Sequence, residues 1–171
     1  HYMRRQFQEP TDKEASNLIA EQKRLITTTP KLPKAGGTCK LDAIGVFTNS
    51  PFYIDIHQGS YSLEKITLQE RVRQTFPLLR LDLDPGRPHS NPDGQKIEGN
   101  RLHIYKMNYG HTWAYPLDHE KVREINSNVN LAQILNISDA YQQLELFLQF
   151  CKFTELNLIR PQKTDITQSL F

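Results

Sequence analysis

The spacing of apolar residues near the start of the chain predicts an amphipathic helix over residues 11–26. Thr11 and Glu14 have the spacing of a capping box, in which each side chain accepts a hydrogen bond from the other's backbone N–H. The apolar positions of this helix are Leu18, Ile19, Leu25 and Ile26.

From Leu41 onward, apolar and polar residues alternate, which is typical of strands that bury one face. Turn-forming residues separate most of these segments, so neighbouring strands are expected to pair in antiparallel fashion. The predicted strands cover residues 41–47, 52–57, 65–73, 79–83, 101–105 and 112–115.

The remaining segments predict one long loop and two further helical elements. Residues 85–100 are rich in Pro, Gly and Asn and are expected to form the loop. A short helical element is predicted over residues 131–135, and a longer helix from an N-cap at Ser138 to about Cys151. The chain order predicts an α+β fold, with an antiparallel sheet of about five to six strands and the N-terminal helix and C-terminal helices packed on one face.

The length and composition fit one globular domain. The chain has 171 residues, of which 37% are hydrophobic and 23% charged, which is enough for a single core. His1-Tyr2-Met3 is interpreted as an expression scar. We therefore expect a scar and N-terminal arm over residues 1–10, one domain over 11–155, and a C-terminal tail over 156–171.

Charge, cysteine content and hydropathy narrow the class of protein. No apolar run approaches the roughly 20 residues of a membrane helix, so no membrane partner is expected. The net charge is only +2, so any basic surface has to be local. Cys39 and Cys151 are the two cysteines, and no apolar leader precedes them, which favours a cytoplasmic location.

The polar side of the predicted sheet has an unusual composition. In each strand, the residues between the apolar positions should share the face that points away from the helices. Those residues are Tyr53, Asp55, His57, Gln69, Arg71, Arg73, Arg80, Asp82, Asp84, Arg101, His103 and Tyr105. Cross-strand pairing of Arg with Asp would explain this surface as a purely structural charge ladder, and that alternative stays open.

The functional interpretation of this face is contact with RNA phosphates. A guanidinium presents a planar fork that matches phosphate, and a tyrosine ring can stack on a base. The predicted nucleic-acid-binding residues are Arg71, Arg73, Arg80, Arg101 and Lys106. Basic residues of the preceding arm, Lys31, Lys34 and Lys40, are expected to add nonspecific affinity.

Two histidines on the same face suggest RNA cleavage without a cofactor. Imidazole titrates near neutral pH, so His57 and His103 are predicted to serve as general acid and base. Asp82 would orient a histidine, and Tyr105 would place or stack the substrate.

A metal site is the less favoured interpretation of the neighbouring residues. Its ligands would be drawn from Asp82, Asp84, His89 and Asp93, which lie close in sequence. The Asn-Pro-Asp-Gly segment at 91–94 is a strong turn signal, so turn chemistry is preferred as its explanation. Trp113, the single tryptophan, is expected in the core.

Three motifs occur together in the second half of the chain. They are Pro-His-Ser-Asn-Pro-Asp-Gly at 88–94, Leu-His-Ile-Tyr at 102–105 and Trp-Ala-Tyr-Pro-Leu at 113–117. With them, residues 40–155 resemble a family of short uncharacterised bacterial and phage proteins that mobile elements often carry. The resemblance implies a toxin, a nuclease or a counter-defence protein such as an inhibitor of CRISPR effectors, and it assigns no catalytic residue.

The sequence therefore predicts an RNA-binding protein of a mobile element that acts as a small ribonuclease in counter-defence, for example by cleaving a guide RNA. One alternative is a non-catalytic inhibitor of the anti-CRISPR type, which blocks a nuclease effector at its nucleic-acid surface. Others are a toxin–antitoxin component and a protein-interaction module anchored by the tail at Leu170 and Phe171. The sequence predicts no particular oligomeric state.

Overall fold

The computed structural model of the chain describes residues 7–27, 29–60 and 65–156. The proposed scar at 1–3 and the tail anchor at Leu170 and Phe171 lie outside the described residues. The helices are α1 (Asp12–Ala20), α2 (Glu120–Ile125) and α3 (Ala140–Phe150), with a 3₁₀ helix at Leu131–Asn136. The strands are β1 (Lys23–Leu25), β2 (Thr38–Gly45), β3 (Pro51–Gln58), β4 (Ile66–Val72), β5 (Phe76–Leu83), β6 (His89–Ser90), β7 (Lys96–Ile97), β8 (Arg101–Ile104), β9 (Ala114–Pro116) and β10 (Phe153–Thr154).

One eight-stranded sheet dominates the fold, in the order β10-β1-β2-β3-β4-β5-β8-β9. Its neighbours are antiparallel, except that β1 and β10 run parallel. The α+β class and the antiparallel meander are confirmed, but the sheet is larger than the five to six strands predicted. The additional strands β1 and β10 have three and two residues, which is too short for alternation to be visible.

The apolar side of the sheet borders the core. Because side chains alternate along a strand, one half of each long strand is buried there. The same cluster receives residues from the helical segments. Its sheet members include Leu41, Phe52, Ile54, Ile56, Leu68 and Leu81, and its helical members include Ile19, Val122, Ile134, Leu144 and Phe147. Burying each large apolar side chain stabilises the fold by about 1.5–3 kcal/mol.

The first helix is shorter than the apolar spacing predicts. The capping box is confirmed, since Thr11 and Glu14 exchange side chain to backbone hydrogen bonds. However, α1 ends at Ala20, and Lys23–Leu25 is a strand, so a helix reaching residue 26 is wrong. Extended backbone lets β1 pair with both β2 and β10, whose facing edges a further helical turn would leave unpaired.

A buried ion pair lies inside the core. The Lys23 ammonium lies 3.3 Å from Glu70 Oε2, and both side chains are 0% exposed. The same ammonium donates to the carbonyl oxygens of Ile19, at 2.8 Å, and Cys151, at 2.9 Å. We call Lys23 and Glu70 the core ion pair. The two carbonyl oxygens take hydrogen bonds from the ammonium, and the Glu70 carboxylate supplies the counter-charge. The pair accounts for the one acidic residue on the apolar side of β4.

Within the described ranges, none of the helices is long and apolar enough to cross a membrane.

Candidate functional site

Strand register gathers the polar residues of β3, β4, β5 and β8 into two neighbouring rows. Residues directly opposite each other in a sheet share a face. One row consists of His57, Thr67, Asp82 and Arg101. The other consists of Asp55, Gln69, Arg80 and His103. We call this side of the sheet the open face.

Asp82 is the centre of a buried hydrogen-bond network on the open face. One carboxylate oxygen accepts from Thr67 at 3.2 Å and from Arg80 Nε at 2.9 Å. The other lies 3.1 Å from His103 Nε2 and 3.5 Å from Arg101 Nη2. Burial raises the pKa of Asp82, but the His103 hydrogen bond and the Arg80 charge outweigh it and hold the pKa well below its usual value. Asp82 is therefore a carboxylate whose acceptor sites are already used.

His103 has a partner at each ring nitrogen. Its Nδ1 lies 2.7 Å from the His111 carbonyl oxygen, which only accepts, so Nδ1 carries a proton. Its Nε2 lies between Asp82 and Arg101 Nε, the latter at 3.2 Å. A neutral ring accepts from Arg101, and a protonated ring donates to Asp82. His103 is also only 4% exposed, so it holds its neighbours in position and has no free nitrogen for a substrate.

His89 reaches the same place from the loop between β5 and β8. The amide of Asn91 donates to the Ala114 carbonyl at 2.9 Å and accepts from the Ala114 N–H at 2.9 Å, which pins the β6–β7 ribbon to β9. His89 Nε2 lies 2.7 Å from the Thr112 carbonyl oxygen and therefore carries the proton. Its Nδ1 has a lone pair, and none of the described residues hydrogen-bonds to it.

His111 completes the group from the turn between β8 and β9. The ring is half-buried, and no described residue hydrogen-bonds to its nitrogens. Burial lowers the pKa of His111, and the neighbouring Arg80 and His103 side chains lower it further. The ring is neutral at neutral pH and can accept a proton. We call His89, His103 and His111 the histidine cluster. The His103 ring centroid lies 4.7 Å from that of His89 and 6.1 Å from that of His111.

The histidine cluster borders a cleft of about 720 Å³ on the open face. Exposed basic residues Lys65 and Arg87 line its rim, and His57 lies on its wall. Arg80 also lines it, and only its Nε is hydrogen-bonded to a described residue, so its two Nη groups are available to an anion. The cleft therefore combines free cationic donors with two histidine nitrogens that have no partner.

The two histidines of the predicted acid–base pair, His57 and His103, share the open face but lie far apart across the strands. His57 lies on β3 and His103 on β8, which are three strand spacings apart, or about 14 Å. His57 is exposed, with Nδ1 3.0 Å from Thr38 Oγ1, whereas His103 is buried and fully bonded. This geometry does not place the two rings on one phosphodiester.

Three of the predicted phosphate-binding arginines are occupied by protein groups. Arg71 makes a two-point contact with Asp55, at 2.8 and 3.0 Å. Arg73 bonds the Gln8 carbonyl and the Glu14 carboxylate, away from the cleft. Arg101 donates to the carbonyl oxygens of Arg87, at 2.6 Å, and Gly99, at 3.0 Å.

Three further predictions fall elsewhere in the fold. Tyr105 lies in the core, where its hydroxyl donates to the Pro10 carbonyl at 2.7 Å. Lys106 lies over the rings of Tyr109 and Trp113, and lines a cavity separate from the cleft. Trp113 was expected in the core, but it is half-buried at this edge beside Tyr109 and Lys106 and is not part of the core cluster.

The residues of the alternative metal site are dispersed. Asp84 lies 3.6 Å from Lys65 and accepts from the Gly86 N–H. Asp93 accepts from the Gln95 N–H within its turn, and Asp82 is bonded as described above. Over the part of the chain that the structure describes, no group of three or more His, Cys, Asp or Glu side chains is arranged to hold a metal ion.

Sequence reasoning assigned no role to His111 and considered His89 only as a metal ligand. His111 lies in a turn, where strand alternation gives no orientation. His89 depends on Asn91, whose side chain bonds a strand 23 residues away. One signal for these two histidines was available in the sequence: His89 lies within the motif at 88–94, and His111 lies two residues before the motif at 113–117.

Comparison with known proteins identifies a family without a known role. Residues 11–153 match a family of unknown function, DUF6978. Neither the curated proteins nor the solved structures include a match to the chain.

Proposed function

Because the chain belongs to this family of unknown function, its activity has to be inferred from its own side chains, and we propose that it is a ribonuclease that cleaves single-stranded RNA in the open-face cleft. One observation carries the proposal. His89 and His111 flank the buried His103, each has a ring nitrogen without a partner among the described residues, and the free Nη groups of Arg80 line the same cleft.

The reaction needs one base, one acid and one cation. His111, neutral at neutral pH, takes the proton of a ribose 2′-hydroxyl, and the 2′ oxygen forms a bond to the adjacent phosphorus. The bond from phosphorus to the 5′ oxygen breaks, and His89, entering the reaction as an imidazolium, gives its Nδ1 proton to that oxygen. The ring then returns to its neutral form, with the Nε2 proton still on the Thr112 carbonyl. Arg80 stabilises the charge that develops on the phosphate oxygens. The products are a 2′,3′-cyclic phosphate and a 5′-hydroxyl.

His103 and Asp82 act as positioning residues in this scheme. His103 bonds the backbone carbonyl of His111, and its ring packs edge-on against that of His89. Asp82 holds the His103 ring and the Arg80 side chain at the same time. The network thus fixes base, acid and cation relative to one another before substrate binds.

The proposed setting is the bacterial cytoplasm, with the protein carried by a mobile element and acting in counter-defence. A guide RNA is the proposed substrate. The resemblance to mobile-element proteins points to a defence RNA, and the cationic cleft offers contacts to phosphate that suit an exposed single strand.

The test is incubation of the protein with an end-labelled, structured guide RNA, with and without EDTA, followed by a denaturing gel. We expect discrete cuts that survive EDTA, products ending in a cyclic phosphate, and no cut where a single 2′-deoxy nucleotide replaces the ribose. Cuts that need a divalent ion, or that persist at the deoxy position, would contradict the proposed chemistry.

A second candidate is a non-catalytic inhibitor that occupies an effector's nucleic-acid surface. The rigidity of the site favours it, since the buried residues Asp82, Arg101 and His103 are bonded to one another. Asp82 in turn holds the Arg80 side chain that lines the cleft. Uncut RNA, held with an affinity that falls steeply as salt rises, would support this function over cleavage.

A further inference from the structure

A second, smaller pocket adjoins the cleft on the open face. It has a volume of about 210 Å³ and is lined by Thr38, Asp55, His57, Thr67, Gln69 and Arg80. His57, Thr67 and Arg80 line both the pocket and the cleft, so the two spaces adjoin each other. We call it the side pocket. We propose that the side pocket binds one pyrimidine base of the RNA strand whose phosphodiester lies in the cleft, an inference that rests on the proposed ribonuclease function.

The location of the side pocket suits a nucleotide next to the cleavage point. Arg80 on β5 is shared with the cleft, and the pocket extends across β4 to Asp55 and His57 on β3. Two strand spacings separate β5 from β3, or about 10 Å. A single strand that leaves the histidine cluster along the row of Arg80 and Gln69 therefore passes directly over this pocket.

The size of the side pocket limits what it can hold. Sites for drug-sized ligands have volumes of about 300–1,000 Å³. About 210 Å³ is below that range and suits one planar ring, with sugar and phosphate remaining in the cleft. A one-ring pyrimidine is therefore favoured over a two-ring purine.

The side pocket also has unused hydrogen-bonding groups. Gln69 Nε2 donates to Asp55 Oδ2 at 3.0 Å, which orients the amide and leaves Oε1 as an acceptor. His57 bonds Thr38 through Nδ1, and its Nε2 has no partner among the described residues. With the Arg80 Nη groups, these atoms supply an acceptor and donors to the edge of a base.

The negative charge of Asp55 does not oppose RNA binding here. Arg71 bonds both of its oxygens, at 2.8 and 3.0 Å, and lies 4.6 Å from the centroid of the Tyr53 ring. The carboxylate is neutralised and rigid, and its role is to hold the Gln69 amide. This explains why Arg71 is placed on the open face and yet is not free for phosphate.

Dinucleotide substrates test the side pocket. We would measure kcat/KM for cleavage of uridylyl-adenosine and adenylyl-adenosine by the full chain, and for Gln69→Leu, His57→Ala and Gln142→Leu. His57→Ala changes an exposed side chain, so it keeps the test valid if Gln69→Leu fails to fold. Gln142→Leu, on the exposed side of α3, is the matched control.

We expect the wild type and the control to prefer the pyrimidine substrate by about tenfold or more. Gln69→Leu and His57→Ala should bring that ratio towards one, mainly by slowing the uridine substrate. Equal rates on both substrates in the wild type, or an unchanged ratio in both variants, would overturn base binding in the side pocket. Either result would leave the proposed ribonuclease function standing. Absence of both cleavage and binding would overturn the two together.

Discussion

Charged side chains are buried on both sides of the sheet, and the two groups differ in what they leave unbonded. On the core side, the Lys23 ammonium is enclosed by Glu70 and two carbonyl oxygens, with both side chains 0% exposed. On the open face, Asp82 is bonded at both oxygens, and it lies beneath a cleft whose histidines have ring nitrogens without partners among the described residues.

The pKa values of the two carboxyl groups, Glu70 and Asp82, are shifted in opposite directions. Burial raises the pKa of Glu70, and the Lys23 charge only partly offsets that effect. Neither of its carboxylate oxygens accepts a hydrogen bond from a described residue, although Oε2 lies 3.3 Å from the Lys23 ammonium. Asp82 has enough donors to hold its pKa low despite burial. The comparison shows that a buried charge alone does not mark a functional site. An unbonded titratable group at an accessible surface does.

The largest effect is expected at the histidine cluster. We predict that His111→Asn lowers the RNA cleavage rate by about 10²–10⁴-fold, because it removes the general base while the backbone carbonyl that holds His103 remains. His119→Asn is the matched control, since His119 caps α2 outside the cleft and asparagine is also a good N-cap. Equal losses in both variants, in single-turnover assays on a short RNA, would refute the assignment.

The core ion pair should matter for stability alone. Lys23→Met leaves Glu70 buried without a counter-charge and is expected to cost about 3–5 kcal/mol of unfolding free energy. Adding Glu70→Leu should recover most of that loss, because an apolar pair suits this part of the core. Urea unfolding of both variants measures the effect. RNA cleavage by the folded double variant should stay near the wild-type rate. A loss of cleavage in a variant that is still folded would contradict the claim that the core ion pair serves stability alone.

Asp82 should make the protein sensitive to acid. Its pKa is lowered by folding, so its contribution to stability is present above the unfolded value of about 3.9 and is lost as the pH falls towards the folded value. We expect Asp82→Asn to cost about 1–3 kcal/mol at pH 7 and to flatten the dependence of stability on pH between about 5 and 2. Denaturant titrations at several pH values measure the unfolding free energy of both proteins. If the wild type and Asp82→Asn lose stability in parallel as the pH falls, Asp82 is not the coupled group.

The smallest effect concerns the pH profile. Burial and the neighbouring Arg80 and His103 side chains lower the pKa of His111, and Asp82 only partly opposes them. The midpoint of the acidic limb of kcat/KM should therefore lie below the ordinary histidine pKa of about 6.5. Arg80→Gln removes the guanidinium charge and should move the midpoint up by less than about one unit. A midpoint that does not move would show that His111 is not the group that titrates.

Much of the fold follows from local patterns in the sequence. Alternation over residues 41–105 predicts the long strands and the open-face positions of His57, Asp82 and His103, and register confirms that they share a face. Alternation gives no indication of β1 and β10. Leu25 and Ile26 continue the apolar spacing of α1, but Leu25 belongs to a strand and the helix ends before both residues.

The site itself depends on contacts between distant segments. Asn91 ties its ribbon to Ala114 across 23 residues, and His89 itself bonds the Thr112 carbonyl, which together bring His89 beside His103. His111 is placed by a turn, where side-chain direction has no period. Sequence patterns therefore predicted the surface on which the site lies, but they did not predict the two histidines that remain free.

The most direct test of the central claim is an NMR titration of the histidine rings with a 2′-deoxy trinucleotide, which can bind but cannot be cleaved. The free protein should show His89 protonated at Nε2 and His103 at Nδ1. Addition of the trinucleotide should shift the ring signals of His89 and His111 saturably and leave those of His119 unchanged. A saturated complex in which neither His89 nor His111 responds would contradict the account.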